Sequence, residues 1–335
     1  MNIQMWIKAL RIIPRLEKGE WEKLDIISRW LIATRAAVLI MTFISAAIAG
    51  LLAAKDGMFH WGRWGLLVIG LVFAHATNNL VNDLTDFQHG VDKDNYFRTQ
   101  YGPQPLESGL MTKRQILVYI AVTGFIALAA GIPLVILGKT LALILLLAGV
   151  FFVLFYTWPL KFIGLGELAV LLVWGPLMIG GGYYVITGLW SWQVVVASLP
   201  YALGTTLVIF GKHIDKLEGD KAKKIHTLPV LIGEKAARTT TMVLWALQYV
   251  SVVYLVMTGY FHPVMLIVFL GLIDTLPKVL PIYLHPKPAE RPEEYRADVW
   301  PLWYVAAAFV QNRSFGLLFL LGLIANLVIR IIWPI

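Results

Sequence analysis

Two acid-rich stretches hold most of the residues in this chain that could do chemistry. The first is Asn79-Leu80-Val81-Asn82-Asp83-Leu84-Thr85-Asp86, closed by Asp92; the second is Asp215-Lys216-Leu217-Glu218-Gly219-Asp220. Asn79, Asp83 and Asp86 stand at i, i+4 and i+7, which is one face of a helix. Asn82 lies on the neighbouring stripe, and Gly90 permits a turn that brings Asp92 back. In the second stretch Asp215 and Glu218 share a face, and Asp220 converges on them across a helix end. Crowded carboxylates repel one another and are costly beside lipid. Two such clusters call for a shared counter-charge. Magnesium commonly bridges one or two carboxylates to the phosphates of a substrate, so a metal-bound, phosphorylated substrate is the chemistry these spacings suit.

Bases surround the second stretch: Lys212, His213, Lys216, Lys221, Lys223 and Lys224. Mixed acid and base is expected around a metal-bound diphosphate, where metals hold some oxygens and lysines the rest. An ordinary solvated loop has the same composition. Lys161 and Arg35 are each placed either to reach a phosphate oxygen or to snorkel to the lipid headgroups. His75, one turn before Asn79, reads as a satisfied buried histidine. Tyr156, Trp158 and Tyr183 are aromatic groups able to stabilise a cation or to anchor at the membrane interface.

The elements that must position these groups are membrane-length helices. The chain of 335 residues is 59% hydrophobic and 14% charged, against roughly 25% charged residues in soluble domains. Nine apolar runs are long enough to span a bilayer: 31–54, 64–82, 115–137, 140–158, 167–187, 192–210, 238–258, 262–283 and 314–333. The expected fold is therefore an all-α, polytopic bundle of nine transmembrane helices around a central cavity. Of 28 Lys and Arg, all but Lys55, Arg63, Lys139 and Arg330 fall on the side of the N-terminus and the acidic loops. Positive residues stay cytoplasmic. A multi-pass protein of the cell membrane is expected, with the N-terminus and acidic loops inside and the C-terminus outside. The net charge of +8 is met by anionic lipid headgroups and requires no nucleic acid.

Residues 1–29 are read as an interfacial amphipathic segment and 30–335 as the membrane domain. Ile3, Trp6, Ile7, Leu10 and Ile13 recur at helical spacing between Lys8, Arg11 and Arg15, the pattern of a helix lying in the interface. No cleavable signal peptide is expected. The chain contains no cysteine, which excludes disulfides, thiolate metal sites and a cysteine nucleophile.

At these residues the chain resembles the UbiA superfamily of intramembrane prenyltransferases. The first stretch is similar to the family's Asn-Asp-x-x-Asp pattern with its trailing Gly-x-Asp, here Gly90-Val91-Asp92. The second resembles the acidic motif before span seven, followed by Thr227-Leu228 and Leu231-Ile232-Gly233. Gly164-Leu165-Gly166-Glu167, Gly175-Pro176-Leu177, Gly182-Tyr183-Tyr184-Val185 and Asn312-Arg313-Ser314-Phe315-Gly316-Leu317-Leu318-Phe319 look like the branch that prenylates dihydroxynaphthoate for menaquinone.

The resemblance implies Mg2+ as cofactor, with Asn79, Asp83 and Asp86 binding one ion and Asp215 and Asp220 the other. Glu218 and Asp92 are supplementary candidates for the metal. Asp83, Asp86, Asp215 and Asp220 become the candidate catalytic residues. Tyr156 and Lys161 match the family's Tyr and Lys that flank the diphosphate, with Asn79, Arg98 and Lys212 as further contacts. Three departures stand out. Gln104-Pro105-Leu106-Glu107-Ser108-Gly109 carries Gln104 where the family shows Arg, leaving Arg98 or Lys113 as substitutes. The second motif is Asp-x4-Asp, wider than usual. Ile225-His226 stands where the family has a base.

The implied function is magnesium-dependent transfer of a polyprenyl group from its diphosphate to an aromatic acceptor, a hydroxynaphthoate-type quinone precursor. A terpene cyclase of the same superfamily, needing no acceptor, is the first alternative. A membrane transporter is the second, with Asp274 and Lys278 in span eight as its ion pair.

Overall fold

The computed structural model describes residues 2–93, 102–297 and 299–332. Among the described residues every regular element is helical. A short helix α1, Ile3–Arg11, precedes eight helices long and apolar enough to cross a membrane. These are α2 Ala36–Lys55, α3 Trp61–Gln88, α4 Lys113–Phe155, α5 Gly166–Thr187, α6 Trp192–Asp215, α7 Glu234–Met257, α8 Pro263–Leu284 and α9 Tyr304–Ile332. Large apolar side chains such as Phe125, Ile136 and Ile273 are about three-quarters exposed. In water that would be a liability; in a bilayer it is the lipid-facing surface. The protein is a multi-pass membrane protein.

Helix α4 contains 43 residues, which a straight helix would stretch to about 64 Å, twice the hydrocarbon thickness. The backbone breaks at Lys139, where φ is 54° and ψ −141°. A Cβ added to Gly131 would stand 3.2 Å from Leu146 Cδ1, although 15 residues of straight helix span about 22 Å. The chain thus folds back at Lys139, and the Tyr184 hydroxyl donates to the Gly138 carbonyl at 2.7 Å there. The eight helices make nine crossings, so the sequence-derived count of nine stands. Lys55, at the end of α2, and Arg330, near the end of α9, meet at one pocket on the far face, as an odd number of crossings requires.

Several boundaries differ from the apolar runs, three of them for reasons the contacts show. The first span begins at Ala36 instead of 31, because Asp25 caps a separate short helix, Ile26–Ala33, and Arg35 then turns with φ 55°. Helix α3 continues to Gln88, six residues past its apolar run, because its polar residues face the bundle interior. Helix α9 starts at Tyr304, ten residues before its run. Its cap is remote: the Asp215 carboxylate accepts from the amides of Trp303, Tyr304 and Val305 at 3.0, 3.2 and 3.0 Å.

Helix α6 is the most buried span and packs against α5, α7 and α9. At Gly211 the backbones of α6 and α9 touch; a Cβ there would lie 2.8 Å from the Tyr304 carbonyl and 2.9 Å from Val305 Cα. Glycine is required for that approach, and the approach brings Asp215, one turn later, against the α9 amides.

Candidate active site

One apolar cavity of about 770 Å3 runs through the bundle. Its wall at the hairpin end includes Leu134 and Ala142, close to the Lys139 turn, and its wall at the opposite end carries the polar groups. Leu128, Leu146 and Val150 line the length between. Such a channel is shaped for a long hydrocarbon chain with a polar head.

The head end assembles residues from five parts of the chain, one of them Arg35 just before α2. Helix α3 supplies Asn79, Asn82 and Asp86, and the segment after α4 supplies Tyr156 and Lys161. Helix α6 and its continuation supply Lys212, His213, Lys216 and Asp220, and the segment before α4 supplies Gln104. The two acid-bearing stretches therefore converge on one cavity. Two further observations tie them together. Tyr156 lies within electrostatic reach of Glu167, Asp86 and Asp220 at once. Lys223, just past Asp220, donates to the Gly90 carbonyl at 3.4 Å and to that of Val91.

Every acid at this end meets a base. Lys161 Nζ lies 2.7 Å from Asp86 Oδ1, and a short helix, Leu160–Ile163, holds that lysine under the α3 terminus. Arg35 pairs with Asp83, which is 2% exposed. Lys216 lies 3.3 Å from Asp220, both buried. Neither Arg35 nor Lys161 snorkels: both turn inward to the acids of α3. The amides are oriented too. Asn79 Nδ2 donates to the Thr34 carbonyl at 2.9 Å, and Asn82 Nδ2 to Thr157 Oγ1 at 2.8 Å.

Not every expected residue joins this group. Asp215 is absent from the cavity wall, and both its oxygens serve as the cap of α9. It is expected on the second metal; here its oxygens accept from three backbone amides. Glu218 is exposed, away from the cavity, and Asp92 is buried outside the wall. Arg98 lies outside the described residues. Lys113 sits over the Phe87 ring at 5.4 Å and does not line the cavity, whereas Gln104 does. Trp158 stacks against His89 at half exposure, and the Tyr183 hydroxyl donates to Asp56 at the far face. The wall instead carries Tyr156 and Trp174, together with Phe125, Phe152 and Phe309. His75 is buried and hydrogen-bonded to Thr42 Oγ1 at 2.7 Å, as a satisfied histidine should be. Asp274 and Lys278 do pair, but on the outer surface of α8.

One pair escaped the sequence. His213 Nδ1 lies 2.6 Å from Glu167 Oε1, and both side chains are about 2% exposed. The residues are 46 apart and belong to different helices. Their only sequence signal is that Glu167 is an acid inside an apolar run, a placement that calls for a partner.

Residues 43–292 match the model of the UbiA prenyltransferase family. The chain is 25% identical over 303 residues to the 1,4-dihydroxy-2-naphthoate octaprenyltransferase of Bacillus subtilis (strain 168), covering 88% of this chain and 91% of that relative. Among solved structures, the apo UbiA homolog from Aeropyrum pernix K1 superposes with a TM-score of 0.62 at 19% identity, over 86% of this chain and 98% of that one. A UbiA homolog from Archaeoglobus fulgidus bound to DMAPP and Mg2+ gives 0.54 at 14% identity, over 87% and 98%. At those identities the likeness is one of fold.

Proposed function

Because the chain belongs to the UbiA prenyltransferase family, we propose that it transfers a polyprenyl group from its diphosphate to a hydroxynaphthoate-type quinone precursor. The carrying observation is an apolar cavity with acids and bases from both stretches at one end. The activity named for the Bacillus subtilis relative supports the acceptor class, and the Archaeoglobus fulgidus neighbour was solved with a prenyl diphosphate and magnesium.

The polyprenyl tail occupies the apolar length and the diphosphate the polar end. Arg35, Lys161, Lys212 and Lys216 bind its oxygens, and Gln104 is suited to donate to another. Its buried Nε2 has no hydrogen-bond partner among the described residues, a costly state for an amide unless a ligand fills it. Asp83 and Asp86, one turn apart with Asn79, form a hard-oxygen donor set that fits magnesium. Magnesium held there supplies charge neutralisation for the departing diphosphate.

Heterolysis of the allylic carbon–oxygen bond sends the electron pair to the diphosphate. The apolar wall keeps water from the cation, and Tyr156 and Trp174 in that wall are aromatic groups able to stabilise it. With Nδ1 engaged by Glu167, His213 offers Nε2 to take a hydroxyl proton from the acceptor. The ring carbon then bonds the prenyl carbon. In a hydroxynaphthoate the same ring carbon releases its carboxylate as carbon dioxide, and that electron pair restores the ring.

The polar end faces the cytoplasm on this reading, since most Lys and Arg lie on that side. The test is mass spectrometry of products from purified protein, geranylgeranyl diphosphate and a panel of quinone precursors. Prenylated naphthoquinol with pyrophosphate release, stopped by EDTA and restored by magnesium, is expected. A cyclic hydrocarbon formed without acceptor would replace this reading with that of a cyclase.

A further inference from the structure

We infer that Lys216 takes the place of a second metal ion, so that this prenyl diphosphate site works with one divalent cation and an ammonium group. The inference rests on the functional reading above and concerns how the head group is neutralised.

A second magnesium would need oxygen ligands from the second acidic stretch, and the geometry withholds them. Asp215 is completely buried with its oxygens on the α9 amides, and the nearest base beyond them is Lys287 at 3.9 Å. Glu218 is exposed. Asp220 alone reaches the cavity, and there it meets the Lys216 ammonium at 3.3 Å, both side chains less than a tenth exposed.

The charge balance points the same way. Among described residues the cavity wall carries Arg35, Lys161, Lys212 and Lys216 against only two carboxylates, Asp86 and Asp220. Asp220 offers a divalent ion a single carboxylate, and that carboxylate is already paired with Lys216. A diphosphate placed there meets a cation already fixed by an i, i+4 pair. On the α3 side Asn79, Asp83 and Asp86 still offer a carboxylate pair and an amide oxygen, so one ion remains.

The test counts metal ions on the full chain in lipid nanodiscs. Manganese serves as the magnesium probe, with geranylgeranyl S-thiolodiphosphate as a substrate analogue that does not ionise. Electron paramagnetic resonance of free manganese should report one analogue-dependent ion per chain. Lys216→Asp should raise the count to two. Lys216→Met should keep one ion and weaken the analogue about tenfold to a hundredfold, the effect of losing a charged hydrogen bond. Two ions in the unsubstituted chain would overturn the inference while leaving the prenyl diphosphate reading intact. No analogue-dependent ion at all would overturn both.

Discussion

Asp83, Asp86 and Asp215 looked alike in the sequence, each an acid at the end of an apolar run, and the fold gives them different work. Asp86 lines the head of the cavity beside Lys161, and Asp83, one turn earlier on α3 and outside the wall, pairs with Arg35, which does line it. Asp83→Asn or Asp86→Asn should therefore lower kcat/KM for pyrophosphate release by about a hundredfold or more, the scale of losing an electrostatic contact to the transition state. The melting temperature should move little. Asp215→Ala should do the reverse in its first effect. Loss of a cap on three amides costs about 1–2 kcal/mol, read as a lower midpoint in thermal unfolding, with analogue-dependent manganese still bound. Glu167→Gln leaves the His213 ring held but removes its anionic partner. Turnover should fall about tenfold or more, within the range of general-base contributions, and its pH profile should shift. An unchanged profile would remove His213 from the proton path. The i, i+4, i+7 pattern of Asn79, Asp83 and Asp86 was readable because helical spacing is local. The fate of Asp215 was not, because its partners are amides 88 to 90 positions away.

At the scale of elements, apolar length located each span, while the ends were set by polar contacts that hydropathy does not carry. Arg35 turned toward Asp83, Asp215 reached α9, and Lys139 folded one long helix into two. The contact of α6 with α9 depends on Gly211, so Gly211→Ala should destabilise the bundle by about 1–3 kcal/mol, as overpacking does. Denaturation in a mild detergent would measure it. The N-terminal helix α1 is held differently. Asp25 accepts from the Asn2 amide at 2.9 Å and from the Trp6 indole at 3.1 Å. Burial would raise the Asp25 carboxyl, but its hydrogen bonds from Ser28, Asn2 and Trp6 outweigh that and hold it well below the usual carboxylate range. A lowered carboxylate stabilises above its unfolded pKa of about 4 and loses that contribution as pH falls through the folded value. The clamp is thus fully present at neutral pH. Asp25→Ala should expose α1 to trypsin at Lys8 and Arg11 at pH 7, where the unsubstituted chain resists cleavage.

Over the described residues, nine crossings put the cavity's polar end and the end of α9 on opposite faces. The cysteine-free sequence makes this directly measurable. Glu218→Cys and Leu189→Cys, both at exposed positions, should react with an impermeant maleimide from opposite sides, Glu218→Cys from the cytoplasmic one. The bundle was legible because bilayer thickness acts on long stretches of chain; charge asymmetry gives the expected orientation, which the maleimide reaction tests. Convergence of the two acidic stretches was legible only as a demand that unpaired carboxylates make. Gln104, His213 with Glu167, and Lys216 with Asp220 acquire their meaning from tertiary proximity.

The most direct measurement of that convergence is magnesium-dependent pyrophosphate release from geranylgeranyl diphosphate by the unsubstituted chain, Asp86→Asn and Asp220→Asn. If one head group is gripped from both sides, either substitution should cut release at least about tenfold in protein that still folds. Full activity in either variant would contradict a shared site.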